Sequence, residues 1–329
     1  MRVGIQSLPL VMVLLLPYSV AFLGGWCFVG SLYCTIALVT IFGVMFALRG
    51  HANDQGKRVV QQRKDKKEPP CFRLNTITSS HFVEKVRWAL DRLGVPYTEE
   101  QDCGILGVFL SGRSVPVLID DATHVSIGNS SDILAYLYGK FRDDERFAER
   151  AGFLQRTPQT VQLENTIDEL GFLIQGYGYH YLIHDKDLVL TFWGADEPSL
   201  PIYQRLALKA LFPILKLIIT KVFKLDDRAL ALKRETRIKE IFAEMGGLIE
   251  KNGGKYILGD EISYVDLAFC ALGGILMVPN NAGGTAIPAG MNPQKYESRL
   301  PQALKDIKQC LLATTAGKYI MDTYESDRL

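Results

Sequence analysis

The spacing of apolar positions divides this chain into an N-terminal segment and a body. Residues 3–48 contain no charged side chain over 46 positions, which is enough for two membrane-crossing helices of roughly 20 residues each. Gly24 and Gly25 lie near the middle, where a helical hairpin could turn. A cleaved signal peptide with a small-x-small site at residues 19–21, followed by one span, is the other arrangement. Both arrangements anchor the protein to a membrane within residues 1–48, by two spans or by the second span alone.

Residues 49–70 form a basic, polar linker after this anchor. Between Arg49 and Lys67 there are seven basic residues and two acidic ones, and the linker ends in Glu-Pro-Pro. Because basic flanks stay on the cytoplasmic side of a membrane, the linker and the body behind it are predicted to face the cytosol. The charge run itself is typical of a tether that is solvated or lies against lipid headgroups.

The body begins with short apolar runs of strand type and with helical repeats. The order of elements is strand, helix, strand, then two strands and a helix, within about 70 residues. A strand–helix–strand start favours a parallel pair, and Gly94 follows the first helix where helices commonly stop. Strands are predicted at Cys71–Ile77, Val95–Asp102, Ser114–Asp121 and Thr123–Ser126, with helices from Ser80 to Leu93 and from Asn129 to Leu137.

From Arg142 onward the pattern is helical. Ser263-x-x-Asp266 predicts a capping box at a helix start, and Pro301 is predicted to open a last helix near the C-terminus. The apolar stretch Pro201–Lys224, punctuated by basic residues, is interpreted as a core helix kinked at Pro213. The alternative is an amphipathic helix that touches lipid.

Composition narrows the classes of function. The chain has 37 basic and 36 acidic residues, so no global field points to nucleic acid. Its six cysteines include no C-x-x-C pair, which fits neither a disulfide framework nor a zinc site. His180 and His184 share a helix face, but no acidic residue or cysteine stands beside them at motif spacing. No metal site is predicted.

Four local motifs in the body resemble the glutathione-transferase family. They are the helix Ser80–Asp91 with its Glu-Lys-Val-Arg-Trp run, the strand Ser114–Leu118, the helix start Ser130–Leu137, and the segment Leu258–Leu267. The resemblance implies an α/β thioredoxin-like domain over residues 71–140 and an all-helical second domain over residues 141–329. The membrane helices that precede this fold lie outside the family pattern.

The resemblance implies that Ser80 is the catalytic residue. A thiol needs help to ionise at neutral pH, and in this family a hydroxyl at this turn donates a hydrogen bond to the glutathione thiolate. The dipole of the following helix also favours an anionic sulfur. Ser79 and Thr78 are nearby competitors for the role, and the alternative for Ser80 is a plain helix cap. His81 belongs to the same turn and is included among the predicted glutathione-binding residues.

The resemblance also implies the remaining glutathione contacts. Val115 precedes a cis-proline, Pro116, and its backbone pairs with the cysteinyl part of glutathione. Ser130 holds the γ-glutamyl carboxylate at a helix N-terminus. Asn129 replaces the usual acidic residue, which removes a charge partner for the glutathione amino group. Arg113 can reach the glycine carboxylate, or it is simply an exposed loop residue.

Two functions follow from these residues. The first is a membrane-anchored glutathione transferase that uses glutathione as a co-substrate and conjugates it to, or reduces, small lipophilic electrophiles. The second is a catalytically inactive module of the same fold that binds or scaffolds at a membrane. Both functions are predicted to contact the membrane through residues 1–48, and the resemblance leaves room for a homodimer.

Overall fold

The computed structural model describes residues 72–77, 79–101, 115–283 and 297–328, together with eight positions between 33 and 44. Those eight positions are helical and exposed. The predicted anchor (residues 1–48) and linker (residues 49–70) therefore lie almost wholly outside the described residues. Within the described ranges, every helix is too short or too polar to traverse a lipid bilayer.

A four-stranded mixed sheet opens the body, in the spatial order β2-β1-β3-β4. The first two strands are parallel, as the strand–helix–strand start predicted, with Phe72 beside Tyr97. The other two pairs are antiparallel, with Phe72 beside Asp120 and Val117 beside Gly128. The strands are β1 Phe72–Thr76, β2 Tyr97–Gln101, β3 Val117–Asp120 and β4 Val125–Gly128.

Two helices accompany this sheet, α1 His81–Leu93 and α2 Ser130–Phe141. Helix α1 forms because its apolar positions recur at helical spacing between a serine N-cap and Gly94, whose φ of 67° suits the left-handed C-cap. Its apolar side chains join the strands and α2 in one core. Completely buried members of this core include Leu74, Val83, Val86, Leu90, Leu118, Ile133 and Leu137.

After α2, every regular element among the described residues is helical. A single 3₁₀ turn, Gly152–Leu154, interrupts the series. Helix α8 lies at the centre, packed against α1, α4 and α10. The helices are α3 Ala148–Ala151, α4 Pro158–Leu182, α5 Lys186–Phe192, α6 Ile202–Phe223, α7 Arg228–Lys251, α8 Tyr264–Met277, α9 Gln302–Leu312 and α10 Thr315–Asp327.

The capping box predicted at the start of α8 is confirmed. Ser263 N and Oγ both donate to Asp266 Oδ2, at 2.8 and 2.7 Å. The other carboxylate oxygen accepts from Ile257 N at 2.8 Å and from Tyr319 Oη at 2.6 Å. Asp266 therefore caps the helix and also holds a loop and α10 against it. A fully buried carboxylate is stable in this position because each of its oxygens accepts hydrogen bonds.

The helix predicted to open at Pro301 is confirmed, since Pro301 is the N-cap of α9. It is not the last helix, because Thr314 caps α10 by accepting a bond from Gly317 N at 3.0 Å. Helix α6 was interpreted as a core helix, but only one of its faces is buried. The helix runs through Pro213, and its outer face is exposed to solvent.

Candidate functional site

The turn that enters α1 presents two serine hydroxyls with different partners. Ser80 is the N-cap of α1, and its Oγ accepts a hydrogen bond from Val83 N at 3.4 Å. Because this bond uses the oxygen as an acceptor, the Ser80 O–H is still able to donate. Ser79 Oγ donates to the carbonyl of Phe192 at 2.6 Å, which commits its proton to α5. Of the two, Ser80 is therefore better placed to donate to a ligand; Thr78 lies outside the described residues.

His81 turns inward from the same turn. Its Nε2 donates to the carbonyl of Gly171 on α4 at 3.0 Å. Burial lowers the pKa of His81 to about 4, since the charged imidazolium loses its hydration. The side chain is a neutral link between α1 and α4, and its predicted contact with glutathione stays a prediction.

An aromatic column continues from His81 to the surface. The rings of His81 and Phe82 are 4.5 Å apart, and those of Phe82 and Phe172 are 5.1 Å apart. Phe172 is 60% exposed. A Cβ on Gly171 would lie 2.8 Å from Phe82 Cζ, so glycine at this position lets the column pack against α4. Because the column begins at His81, the residue after Ser80, it places an apolar surface beside the Ser80 cap.

The peptide bond between Val115 and Pro116 is cis, as predicted from the resemblance. Pro116 is buried and Val115 half-buried, directly before β3. The backbone pairing of Val115 with glutathione stays a prediction. Arg113, predicted to reach the glycine carboxylate, lies outside the described residues.

The start of α2 combines an unusual backbone conformation with an unpaired hydroxyl. Asn129 has φ 71° and ψ 124°, and its Oδ1 accepts from Ser131 N at 3.2 Å. A non-glycine residue in this region is strained, and such strain is concentrated at ligand sites. Ser130 is 1% exposed, and its Oγ has no hydrogen-bond partner within the described ranges. The backbone conformation of Asn129 and the unpaired hydroxyl of Ser130 therefore both cost free energy, and neither is needed for α2 to form.

Behind this helix start is a buried ion network centred on Lys85, whose side chain is 0% exposed. Lys85 Nζ donates to Ser131 Oγ and to Glu164 Oε1, both at 2.9 Å, and to Asp168 Oδ1 at 3.1 Å. Ser131 Oγ donates to Asp168 Oδ2 at 2.7 Å, and Arg156 to Glu164 at 2.6 Å. Burial alone raises the pKa of Glu164, but the charge and hydrogen bond of Lys85 outweigh this and lower it. The network fixes α1 against α2 and α4.

The other polar positions of the Glu-Lys-Val-Arg-Trp run are also structural. Arg87 makes a bidentate pair with Glu99 on β2, at 2.6 and 2.9 Å. Glu84 Oε1 accepts from Gly283 N at 2.9 Å and from Arg328 Nε at 2.8 Å. Sequence reasoning missed these pairings. The sequence signal for these pairings was the run of charged residues itself. It lies on a helix whose apolar face was already assigned to the core.

Two cavities of about 600 and 580 Å³ lie away from this site. The larger is lined by residues from the C-terminal half of α1, the turn before α8 and the chain end, among them Trp88, Arg92, Tyr256 and Asp327. Ser80, Val115 and Ser130 line neither cavity. The candidate site is therefore described by its helix starts and its cis-proline.

The two histidines considered for metal have other partners. His180 Nδ1 bonds the carbonyl of Leu225 at 2.6 Å, and His184 Nδ1 lies 3.4 Å from Lys216 Nζ. Across the part of the chain that the structure describes, no three His, Cys, Asp or Glu side chains are grouped to hold a metal ion. Both histidines instead help to seat the α5–α6 region on α4.

Comparisons with known proteins bear on the two parts of the body separately. Residues 74–145 match the family model for the glutathione S-transferase N-terminal domain, and residues 212–283 match the model for the C-terminal domain. No match was found among curated proteins.

The solved structures that match this chain include two bacterial glutathione S-transferases. The enzyme from Methylobacterium radiotolerans, in complex with glutathione sulfonate, is 17% identical; the match covers 75% of this chain and 93% of that one, with a TM-score of 0.39. The enzyme from Methylobacillus flagellatus, with glutathione bound, is 15% identical; the match covers 76% and 98%, with a TM-score of 0.41. The two domain models, matched in chain order, support the glutathione S-transferase family for this chain.

Proposed function

We propose that this protein is a membrane-tethered enzyme of glutathione-transferase type. It binds glutathione at the starts of α1 and α2, stabilises the thiolate through Ser80, and transfers it to a small lipophilic electrophile. Residues 1–48 anchor the chain, and the body faces the cytosol. Support for the chemistry comes from the matched N- and C-terminal domain models and from the residues at the two helix starts.

The observation that carries the proposal is the state of Ser130. A buried hydroxyl without a partner costs about 1–3 kcal/mol, and the Ser130 Oγ is such a group within the described ranges. It lies in the first turn of α2, where free backbone N–H groups and the helix dipole favour an anion. The γ-glutamyl carboxylate of glutathione would accept hydrogen bonds from the Ser130 hydroxyl and from the free N–H groups of this turn. Because Oγ is enclosed, binding requires the hydroxyl to rotate towards the incoming carboxylate.

Ser80 supplies the chemical step. An ordinary cysteine thiol has a pKa of about 8.5, so only a few per cent is ionised at pH 7. A hydroxyl that donates to the sulfur stabilises the anion and lowers its pKa. The thiolate then attacks the electrophilic carbon, a C–S bond forms, and the leaving group departs with the bonding electron pair. Ser80 needs only to donate throughout, and its O–H is able to do so.

The exposed ring of Phe172 supports a lipophilic electrophile. It stacks on Phe82, two residues after Ser80. An exposed aromatic side chain beside a polar turn gives an apolar co-substrate a surface to bind. The proposed anchor would keep the same site near compounds that partition into the bilayer.

The second candidate is an inactive module of the same fold that binds or scaffolds at a membrane. Asn129 favours it, because a neutral amide cannot pair with the glutathione ammonium group as a carboxylate would. The Asn129 amide already bonds Ser131 N and Asp132. Under this alternative, Ser80 and Asn129 serve only as helix caps.

Calorimetric titration of the full chain in lipid nanodiscs with glutathione tests the proposal. The wild type is compared with Ser130→Ala and with Ser298→Ala, a matched change at an exposed turn. We expect binding by wild type and Ser298→Ala and at least about tenfold weaker binding by Ser130→Ala, since a hydrogen bond to a charged group contributes about 1.5–3 kcal/mol. Folded wild type that gives no heat at millimolar glutathione would contradict the enzyme and favour the inactive module.

A further inference from the structure

Helix α6 carries most of the exposed large hydrophobic side chains of the described body. Eleven large hydrophobic side chains are exposed among the described residues after position 71, and seven of them are on α6. Leu206 and Leu217 are 60% and 58% exposed. The seven are Ile202, Tyr203, Leu206, Leu211, Ile214, Leu217 and Val222.

The opposite face of α6 is packed, so the helix has a defined orientation. Leu208, Phe212, Leu215 and Ile219 are buried. Phe212 lies 5.7 Å from the ring of Trp193, which follows α5. At roughly 100° per residue, the buried positions and the stripe through Leu206 and Leu217 lie on opposite sides of the helix. The exposed face is therefore an apolar surface held rigidly outward by the packing beneath it.

The charges of this segment are of one sign. Between Pro198 and Leu225 there are five basic residues and no acidic one. Arg205, Lys209 and Lys216 are four and seven positions apart, so they form a stripe along one edge of the apolar face. The nearest acidic partners lie outside the segment and make long exposed pairs, with Asp196 3.6 Å from Lys209 and Asp226 3.8 Å from Lys221.

We propose that the outer face of α6 lies on an anionic lipid bilayer. An apolar helical face bordered by Lys and Arg is the arrangement by which helices bind in the membrane interface. The helix is 22 residues long, about 33 Å at 1.5 Å per residue, and lies along the surface. A second copy of the chain is a poorer occupant, because it would bring ten cations to one apolar contact without an acidic residue from either segment to pair with them.

This contact uses other residues than the proposed glutathione site and the predicted anchor. The inference rests on the proposed tether in one respect only, since the tether brings a bilayer within reach. With α6 seated, the body would be held in one orientation on the membrane, where a tether alone would leave it free to rotate.

Photo-cross-linking of the full chain in nanodiscs tests the contact. Leu206→p-benzoylphenylalanine and Leu217→p-benzoylphenylalanine report on α6, and Ile275→p-benzoylphenylalanine is the control. Ile275 is also an exposed apolar residue, but it lies on α8, which packs on α1, α4 and α10. In discs of phosphatidylcholine with phosphatidylserine, we expect lipid adducts at both α6 positions, several-fold above those at the control.

A charge variant tests the choice of lipid. Basic residues near an anionic membrane contribute about 1 kcal/mol each, so Lys209→Glu with Lys216→Glu should weaken the contact by about 30-fold or more. The adducts should then fall towards the level seen in phosphatidylcholine alone.

Four results would overturn the proposal. Cross-links to a second chain would assign the face to a dimer, and cross-links within the chain would assign it to another segment. Lipid adducts no more frequent than at position 275, from protein retained in the disc, would leave the tether standing and remove α6 from the membrane. A chain that does not co-elute with the disc contradicts both.

Discussion

Replacing Ser80 with alanine should remove two interactions that the structure allows to be separated. The first is the helix cap, in which Ser80 Oγ accepts from Val83 N at 3.4 Å. The second is the proposed donation from the Ser80 hydroxyl to a glutathione thiolate. The cap uses the oxygen as an acceptor and the catalytic role uses the proton, so variants can keep one and lose the other.

The two losses have different sizes. Removal of a serine cap typically costs about 1 kcal/mol, and the long Val83–Ser80 distance favours the lower part of that range. For a body of this size, 1 kcal/mol lowers the thermal midpoint by roughly 2–4 °C. A hydrogen bond to a charged group contributes about 1.5–3 kcal/mol, which corresponds to about 1–2 pKa units for the bound thiol. The thiolate fraction at pH 7, and with it kcat/KM, should fall about 10- to 100-fold.

Three substitutions separate these effects. Ser80→Ala loses both interactions, Ser80→Asp keeps an acceptor for the cap but places a negative charge beside the sulfur, and Ser80→Thr keeps both. We expect Ser80→Asp to melt like the wild type and to lose at least as much activity as Ser80→Ala. The pH–rate profile of Ser80→Ala should move to higher pH, since a thiol with a raised pKa ionises only at higher pH. Ser80→Thr should restore both the melting temperature and the profile.

Conjugation of glutathione to a general electrophile, followed across pH, measures the activity, and ultraviolet absorbance of the bound thiolate measures its pKa. An unchanged thiol pKa in Ser80→Ala, with activity reduced only as far as the lower melting temperature explains, would refute the catalytic reading. Ser80 would then be a helix cap and nothing more.

Three further predictions concern buried charge. Lys85→Met should lower the free energy of unfolding by about 3 kcal/mol, because it removes the buried cation that pairs with Glu164 and Asp168 and leaves Arg156 as the charged partner of Glu164; the added change Glu164→Leu should recover part of this loss in denaturant titrations. Burial holds the pKa of His81 near 4 against an ordinary 6.5, so the stability that its neutral form provides is present above pH 6.5 and is lost as pH falls towards 4, by about 3 kcal/mol. His81→Gln should flatten the stability–pH curve across this window. Arg328→Met should destabilise the fold by about 3 kcal/mol, since it removes the closest cation from the buried Glu84 carboxylate, which keeps Gly283 N and a 3.9 Å contact with Arg87, and thermal melts measure the effect.

Matched variants at exposed pairs serve as controls for these measurements. Lys239→Met breaks an exposed pair with Glu235, and Arg146→Met breaks one with Asp144. Exposed pairs contribute little, so both variants should unfold like the wild type. Equal losses in the controls and in Lys85→Met or Arg328→Met would contradict the argument from burial. A stability–pH curve of His81→Gln as steep as that of the wild type would exclude His81 as the titrating group.

Local signals in the sequence were sufficient for the frame of the site. A cap serine and a glycine stop bounded α1, and Ser263 with Asp266 marked the start of α8. The order of strand, helix and strand along the chain predicted the parallel pair of β1 and β2, whereas the spatial order of the four strands and the antiparallel pairing of β1 with β3 came from the structure. The caps and the order of elements could be predicted because caps, stops and periodicity depend on dihedral preferences and hydrogen bonds within a few residues of each other.

The tertiary structure alone decided which charges are buried together and which apolar face is left outside. Lys85 meets Glu164 79 positions away, and Arg328 meets Glu84 244 positions away. A charged residue in a helical pattern is ordinarily assigned to solvent, and it can be buried only where packing supplies a partner of opposite sign. Helix α6 is the converse case: its apolar pattern predicted burial, but only one of its faces is buried, against α5 and against Tyr179 near the end of α4. Sequence periodicity measures how apolar a face is, whereas the number of neighbouring elements determines whether that face is covered.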